Sequence, residues 1–166
     1  TVRQFISIRT DVSRHERHRL ALERLAKLEP GEGFLAGLVE SLALGLRARW
    51  VGAAVPEADG HSMQVLGFWN NGAPGAPFRL PLDGTPCQTT LQGEGPHLVA
   101  SGLAHQYRFA PSVFGEEVES YRGQAALAPD GTPLGIIWAL DSVPCAPNEE
   151  DLVLLALASR RMGSEL

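Results

Sequence analysis

The chain has 166 residues, of which 44% are hydrophobic and 20% are charged, and its net charge is −5. That length suits one domain with its own hydrophobic core, and the apolar content is too high for a disordered segment. The acidic balance argues against a dedicated nucleic-acid binder, which needs a basic face to neutralise phosphates. The longest strictly apolar run, residues 152–158, is far too short for a membrane span.

The first residue and the cysteines of the chain indicate whether it is a fragment and in which cellular compartment it folds. The chain begins with Thr and carries no signal peptide, so we expect a fragment of a longer protein. Cys87 and Cys145 lie far apart and form no C-x-x-C pair, so they predict neither a zinc site nor a disulfide framework. A cytoplasmic localisation is the simpler expectation.

The first segment of the chain carries two predicted elements. Residues 2–10 alternate apolar and polar side chains and are rich in β-branched residues, which predicts a strand. Ser13, with Glu16 at the capping-box position, predicts the start of a helix that stops at Pro30. The narrow apolar stripe of this helix fits two arrangements, a two-stranded coiled coil or a helix docked on the domain behind it. His15, beside Glu16, is predicted to lie on the solvated face of the helix.

The middle of the chain predicts further helices and strands. Apolar spacing predicts a helix over residues 32–46 and strands over residues 50–55 and 63–69. A proline-rich loop with an edge strand is predicted over residues 72–83, and a short strand over residues 97–100. Between them, Thr85 predicts a helix N-cap, with Pro86 at the first helical position, Gln88 completing a capping box and Gly93 at the end. Residues 101–119 form the least regular segment.

The C-terminal part predicts a hairpin followed by a helix. Strands over 120–128 and 133–141 are joined by Asp130-Gly131, a strong signal for a hairpin turn. Asn148 predicts the N-cap of a helix that keeps its apolar spacing to the last residue. In this order the elements predict an α+β fold with a central antiparallel sheet and helices packed on it.

Two stretches of this region resemble a known family, the GAF domain. The predicted hairpin is similar to the closing signature of that family, with Ser120-Tyr121-Arg122-Gly123-Gln124-Ala125-Ala126-Leu127 and then Gly135-Ile136-Ile137-Trp138-Ala139-Leu140-Asp141. The second stretch is Gly84-Thr85-Pro86-Cys87, which opens a helix as in bacterial sensor members. The resemblance covers about residues 32–166. It implies a GAF-like, PAS-related fold, with the terminal helices packed on one face of the sheet and short helices over a ligand pocket on the other.

The N-terminal segment resembles a different family. Residues 5–13 look like the last strand of a PAS domain with its closing Asp-Ile-Thr motif, in which Val12 and Ser13 stand in for Ile and Thr. Together the two resemblances imply three parts. Residues 1–12 are the C-terminal strand of a PAS-like domain, residues 13–30 are a connector (signalling) helix, and residues 31–166 are a GAF domain whose final helix runs into a missing output module.

The resemblance implies a role in signal transduction. We expect a sensory or regulatory domain of a cytoplasmic bacterial protein, covalently linked to PAS and output domains, the output being a two-component histidine kinase or a GGDEF-type diguanylate cyclase. The domain would sense a small ligand or a redox state and pass the event through its terminal helices in a homodimer. The alternative is a ligand-free dimerisation module that only holds output domains together. No catalytic constellation can be read from the sequence, so we expect the fragment itself to be no enzyme.

The candidates for a ligand site are an aromatic set with one thiol and one imidazole, Trp69, Cys87, His97, Tyr121 and Trp138. The resemblance places the pocket under the helix that begins at Thr85. The three large aromatic residues lie on predicted strands and are expected to share one face, where they line a pocket for a planar ligand or pack as core. Cys87 is either a reactive thiol at a helix N-terminus or a small core residue. His97 is either a ligand or a hydrogen-bonded histidine without that role.

The terminal helices supply the candidates for a dimer and signalling surface, Leu22, Leu25, Leu155 and Met162. The sequence requires no metal and identifies no cofactor. Gln88 follows Cys87 where phytochrome-type members place His, which argues against a bilin. The Asn-Lys-Phe-Asp-Glu pattern of cyclic-nucleotide members is absent, which argues against that ligand. Cys87 and Cys145 do not match the closely spaced cysteines of GAF-type methionine sulfoxide reductases.

Overall fold

The computed structural model describes residues 2–107 and 114–166, with side chains from Ser13 onward. The helices are α1 (Val2–Lys27), α2 (Phe34–Leu46), α3 (Pro86–Gln92), α4 (Leu103–Gln106) and α5 (Glu149–Glu165). The strands are β1 (Trp50–Pro56), β2 (Ser62–Asn70), β3 (Ala73–Pro74), β4 (Phe78–Pro81), β5 (His97–Val99), β6 (Ser120–Leu127) and β7 (Pro133–Asp141). Within these described residues, no helix is long and apolar enough to cross a membrane.

The described strands form one antiparallel sheet in the order β3-β2-β1-β7-β6-β5, and β4 also pairs with β2. β1 and β7 are the central pair, aligned from Trp50 opposite Leu140 to Ala54 opposite Ile136. Each belongs to a hairpin with its neighbour in sequence, β1 with β2 and β7 with β6. The architecture is the α+β arrangement that the sequence predicts.

One face of the sheet is covered by a layer of three helices, α1, α2 and α5. The helices meet at Gly45 on α2, where an added Cβ would lie 2.7 Å from both the Ala21 Cβ on α1 and the Leu154 Cδ1 on α5. Gly45 therefore allows the three backbones to approach closely. The core beneath this layer is aliphatic and includes Leu25, Leu38, Leu42, Val51, Ile137, Leu155 and Met162. Of the two arrangements predicted for α1, the structure shows the helix docked on its own domain.

The opposite face carries a second core, which is rich in aromatic residues and lies beneath α3. This helix packs on β6, β7 and β5. The buried residues of this second core include Trp50, Met63, Phe68, Cys87, Leu103, Phe114, Tyr121 and Trp138. The terminal helices and the short helix α3 thus lie on opposite faces of the sheet, as the resemblance implies.

Residues 2–10, predicted to be a strand, are the first turns of α1. The backbone groups of a strand need a partner strand, whereas a helix bonds its own N–H and C=O groups. Among the described strands none pairs with this segment, so its backbone groups are satisfied within the helix. Ser13 consequently lies inside α1 and does not begin it. The assignment of residues 1–12 to a PAS-like domain stays a prediction.

Turn and cap signals place the C-terminal elements correctly. β6 and β7 are joined through Asp130-Gly131, and Gly131 has a φ of 89°, which favours glycine. Asn148 caps α5 in a complete capping box. Its side chain accepts a hydrogen bond from the Asp151 N–H at 2.9 Å, and the Asp151 carboxylate accepts one from the Asn148 N–H at 3.3 Å.

The start of α3 is placed correctly, but its cap differs from the prediction. Pro86 is the first helical residue, as predicted. The Thr85 hydroxyl donates to the Leu82 carbonyl oxygen and makes no cap hydrogen bond to the helix. The Gln88 side-chain oxygen accepts from the Gly84 N–H at 3.0 Å, so it closes the turn one residue before the predicted position.

A β-bulge in β2 changes the faces that its later residues occupy. The register shifts between Ala53 and Ala54 of β1, which leaves Leu66 as an extra residue in β2. Beyond the bulge, Phe68 lies in the aromatic core, and Trp69 packs against the aliphatic core under the helices. Strict alternation along β2 therefore predicts the wrong face for Trp69.

Candidate functional site

Four aromatic rings fill the middle of the sheet face opposite the terminal helices. The Trp138 ring on β7 lies at the centre, with its centroid 6.1 Å from those of Phe68 and Phe114. The Trp50 ring on β1 completes the group, 5.3 Å from Phe114. Trp50 and Trp138 are fully buried. In this structure the chain's own side chains therefore occupy the place where a planar ligand was expected.

Two glycines make room for these rings. Gly52 on β1 and Gly123 on β6 are the cross-strand neighbours of Trp138. A Cβ on Gly52 would lie 2.1 Å from Cζ2 of Trp138, so the indole lies flat over this glycine. A Cβ on Gly123 would lie 2.1 Å from the Tyr121 hydroxyl, so the phenol ring covers Gly123 in the same way. The row Gly52–Trp138–Gly123 thus positions both large rings.

The indole N–H of Trp138 is a buried donor. Nε1 of Trp138 has no hydrogen-bond partner among the residues that the structure describes. Nε1 of Trp50, in the same cluster, donates to the Asn70 side-chain oxygen at 3.1 Å. A buried N–H without an acceptor costs about 1–3 kcal/mol. The site therefore holds one donor that an acceptor group would stabilise.

A small polar network lies beside the aromatic rings, under α3. The Tyr121 hydroxyl lies 2.8 Å from Thr90 Oγ1 and 3.7 Å from Cys87 Sγ. Thr90 Oγ1 in turn donates to the Pro86 carbonyl oxygen at 2.9 Å. Cys87, Thr90 and Tyr121 are all buried. These bonds tie α3 to β6 through side chains.

The environment of Cys87 is apolar. Burial raises the pKa of the Cys87 thiol to about 12, although the hydrogen bond from Tyr121 acts in the opposite direction. Burial also raises the pKa of Tyr121 well above its ordinary value. Because the thiolate is the reactive form of cysteine, Cys87 has the environment of an inert core thiol. The structure thus favours the core interpretation of this residue.

His97 lies at the margin of the aromatic core, on β5. Its Nε2 is 3.0 Å from the Tyr107 hydroxyl, and its ring is 5.7 Å from the Tyr121 ring. Burial lowers the pKa of His97, which favours the neutral imidazole. His97 is therefore a hydrogen-bonded histidine that joins Tyr107, the residue after α4, to the edge of the site.

The structure brings four of the five candidate ligand residues to one face of the sheet. Cys87, Tyr121 and Trp138 share the aromatic core, with His97 at its margin. Trp69 is excluded, because the bulge in β2 turns it toward the helical layer. A pocket lined by all three large aromatic residues is therefore not formed.

Three of the four candidate dimer residues are core residues of this chain. Leu25, Leu155 and Met162 are 3% exposed or less, and they pack between the helices and the sheet. Leu22 is 38% exposed. Within one chain the apolar stripes of α1 and α5 bury each other in the three-helix layer, so these three residues are not exposed to a second copy. Dimerisation through the terminal helices stays a prediction.

Several residues of the site were not identified from sequence. Thr90 and Tyr107 supply the hydrogen bonds to Tyr121 and His97, and Gly52 and Gly123 make room for the rings. A glycine inside a strand pattern is a known signal for close approach of another group, so both glycines carried a readable signal. The sequence gives no such signal for Thr90, because its hydrogen-bond partner Tyr121 lies on the distant strand β6.

The described residues contain no group of three or more His, Cys, Asp or Glu side chains that could hold a metal ion. On the described part of the aromatic face, the polar groups near a ligand would be the unpartnered Trp138 N–H and the hydroxyls of Thr90 and Tyr121, which already bond to each other. These atoms suit an organic molecule with hydrogen-bonding groups. They do not make a set of metal ligands.

Several solved structures share this fold, in which the terminal helices cover one face of the sheet and a short helix covers the core on the other face. One is the GAF domain of a phosphoenolpyruvate-protein phosphotransferase from Coxiella burnetii, with a TM-score of 0.72, 19% identity, and 93% of this chain and 92% of that chain covered. A second is the chromophore-binding domain of phytochrome P1 from Stigmatella aurantiaca, with a TM-score of 0.67, 12% identity, and coverage of 93% and 60%. A third is the free methionine-R-sulfoxide reductase of Neisseria meningitidis, with a TM-score of 0.66, 18% identity, and coverage of 89% and 87%.

These likenesses show that the chain has the GAF fold. No family model matches the sequence, and no curated protein matches it. The three counterparts include a domain of a phosphotransferase, a chromophore-binding domain and an enzyme, so the fold leaves the activity open.

Proposed function

We propose that this chain is a regulatory domain of a bacterial signal-transduction protein, which binds a small organic ligand on the aromatic face of the sheet. The buried N–H of Trp138, which has no partner among the residues that the structure describes, is the observation that carries this proposal. An acceptor group on the ligand would receive this hydrogen bond and displace part of the aromatic packing. GAF folds are regulatory modules as a rule, and this agrees with the proposal. The proposed output module is a histidine kinase or a GGDEF-type cyclase.

Strand β7 gives a physical route from the ligand to the terminal helices. Trp138 faces the aromatic core, and its neighbours Ile137 and Ala139 face the aliphatic core under the helices. Farther along β7, a Cβ on Gly135 would lie 2.9 Å from Cε of Met162, so α5 rests directly on this strand. A shift of Trp138 would therefore move residues that carry the helical layer. Such coupling needs two discrete packings of the helices.

Native mass spectrometry of freshly purified protein, before and after denaturation, tests the proposal. We expect a mass above that of the bare chain, lost on denaturation. The variant Trp138→Phe should lose most of the adduct, since it lacks the N–H. The matched control is Trp50→Phe, which removes an N–H already bonded to Asn70 and should keep the adduct. A bare mass in the wild-type protein would contradict ligand binding as proposed.

A second function, a ligand-free dimerisation module, is favoured by a different observation. Leu22 on α1 is 38% exposed and Val153 on α5 is 53% exposed, and both line one groove of about 420 Å³ between the two helices. Paired grooves from two copies would bury these side chains. A wild-type protein without ligand but with a dimer mass would support this second function.

A further inference from the structure

His18 makes a buried polar contact between α1 and the start of α5. Its side chain is 7% exposed. Nε2 of His18 is 2.8 Å from Oδ1 of Asp151, at hydrogen-bond geometry. Nδ1 lies 2.9 Å from Oε2 of Glu150, an ion-pair distance without good hydrogen-bond alignment. A single buried imidazole thus faces a carboxylate at each of its two nitrogens.

The charge state of His18 decides how many of these contacts are favourable. A neutral imidazole has one N–H, and its other nitrogen carries a lone pair that repels a carboxylate oxygen. The imidazolium has two N–H groups and suits both carboxylates. Histidine is also the side chain that commonly changes charge between pH 5 and 8. The geometry is therefore complementary to the protonated form.

The carboxylates that face His18 also hold the start of α5. Asp151 accepts from His18 through Oδ1 and from the Asn148 N–H through Oδ2, within the capping box. Glu149, Glu150 and Asp151 occupy the first turn of α5, where the helix dipole favours negative charge. The His18 contact therefore connects α1 directly to the cap of the last helix.

The other charged groups around this contact come from α1, from the end of α2 and from the loop before α5. His15 lies 2.9 Å from Oε1 of Glu150, and its side chain is 68% exposed. Burial, together with repulsion from Arg47 and Arg14, lowers the pKa of Arg17. Cys145, in the loop before α5, lies within electrostatic range of Asp151, and burial raises its pKa. Arg19 is paired with Glu16 and Glu23 along α1.

We propose that His18 is a proton-dependent latch that holds the first helix on the last one. The protonated imidazole binds Asp151 and Glu150 and closes the helix pair. Loss of the proton as the pH rises turns one attraction into a repulsion and loosens α1 from α5. This inference goes beyond the proposed function, because it needs no ligand on the aromatic face. It gives the helical layer a second input, the pH.

Distances between spin labels on α1 and α5 test the latch. Leu20→Cys and Val153→Cys place labels on exposed positions, 45% and 53% exposed, in a Cys145→Ser background and diluted with unlabelled protein. We expect a short, narrow distance distribution at pH 6 and a longer, broader one at pH 8.5. His18→Gln should abolish the pH dependence, and the control His15→Gln should keep it. An unchanged distance in the wild-type helix pair, or the same shift in His18→Gln, would overturn the proposal.

The ¹⁵N imidazole spectrum of His18 gives a test that needs no variant of His18. We expect both ring nitrogens to carry protons in the closed helix pair and one of them to be bare in the loosened pair. A single N–H at both pH values would mean that no imidazolium forms. Two N–H groups at both values would mean a fixed ion pair. Either result contradicts a latch that responds to pH.

Discussion

Trp138 keeps its position because its two cross-strand neighbours have no side chain. The indole lies over Gly52, and Tyr121 occupies the space above Gly123 on the other side. The packing of the aromatic face therefore depends on backbone positions that are not themselves aromatic. A side chain added at either glycine would therefore clash first with a buried aromatic ring.

The variant Gly52→Ala tests this dependence. The added methyl group would lie 2.1–2.6 Å from three atoms of the Trp138 benzo ring, which is fully buried and cannot move aside freely. We expect a loss of about 1–3 kcal/mol in the free energy of unfolding, measured by urea titration, with a changed near-UV circular dichroism spectrum.

The matched control for Gly52→Ala is the same change in a Trp138→Phe background. Phe lacks the atoms that clash with the added methyl group. Gly52→Ala should therefore lower the free energy of unfolding clearly less in the Trp138→Phe background than in the wild-type protein. Equal costs in the two backgrounds would show that the methyl group disturbs something other than the indole.

The thiol of Cys87 makes a pH-dependent contribution to stability. The folded protein holds this proton up to a pH of about 12, because burial raises the pKa, whereas a thiol in the unfolded chain ionises near pH 8.5. Ionisation therefore favours the unfolded state, and the stabilisation is complete below pH 8.5 and is lost as the pH rises. Between pH 7.5 and 9.5 we expect the wild-type protein to lose about 1 kcal/mol more than Cys87→Ala, measured by urea unfolding.

Thiol labelling provides the check on this prediction. Cys145 is partly exposed and should react with a thiol reagent in the folded protein, and Cys87 should react only after unfolding. Rapid labelling of Cys87 in the folded state would contradict an inert core thiol.

At the scale of the elements, the helical layer depends on contacts within one chain. Leu155 on α5 is 1% exposed and belongs to the aliphatic core. Leu155→Ala should therefore destabilise the monomer by about 2–5 kcal/mol, at a cost independent of protein concentration. The control Val153→Ala, on the exposed side of the same helix, should change stability by less than about 0.5 kcal/mol. A concentration-dependent loss for Leu155→Ala would place this residue at an interface.

The elements that sequence reasoning predicted well are those with local chemical signals. The Asp130-Gly131 turn and the Asn148 cap fix the ends of β6, β7 and α5 within a few residues. The grouping of the candidate site residues was predicted in part, and ligand binding by them stays a prediction. Cys87, Tyr121, His97 and Trp138 gather on one face, because their strands and α3 were correctly assigned.

The two main errors have non-local causes. The strand predicted over residues 2–10 needed a partner strand, which a local pattern does not reveal. The face of Trp69 depended on a single extra residue, Leu66, which inverts the alternation of β2. In both cases, pairing between distant segments decided the outcome.

At the scale of the whole molecule, the exposed side chains of the helical layer decide how copies can meet. Leu22 and Val153 flank the groove between α1 and α5. If two copies associate there, as the second proposed function requires, Leu22→Glu should shift the protein toward monomer in sedimentation experiments. The control Leu66→Glu changes an equally exposed leucine on the far strand β2, at 41% exposure, and should leave the association unchanged. An unaltered dimer in Leu22→Glu would locate the interface elsewhere.

The central pairing of β1 with β7 has a consequence for synthesis on the ribosome. The β1–β2 hairpin emerges early, but one edge of β1 finds its partner only when β7 has been made, after all the other described strands. Until then, a nascent chain lacks the central residues that β7 adds to each core, and β1 has an open strand edge. Closing this long loop comes late and is slow relative to forming the hairpins. The N-terminal elements therefore stay incompletely packed during synthesis until β7 pairs with β1 and completes both cores.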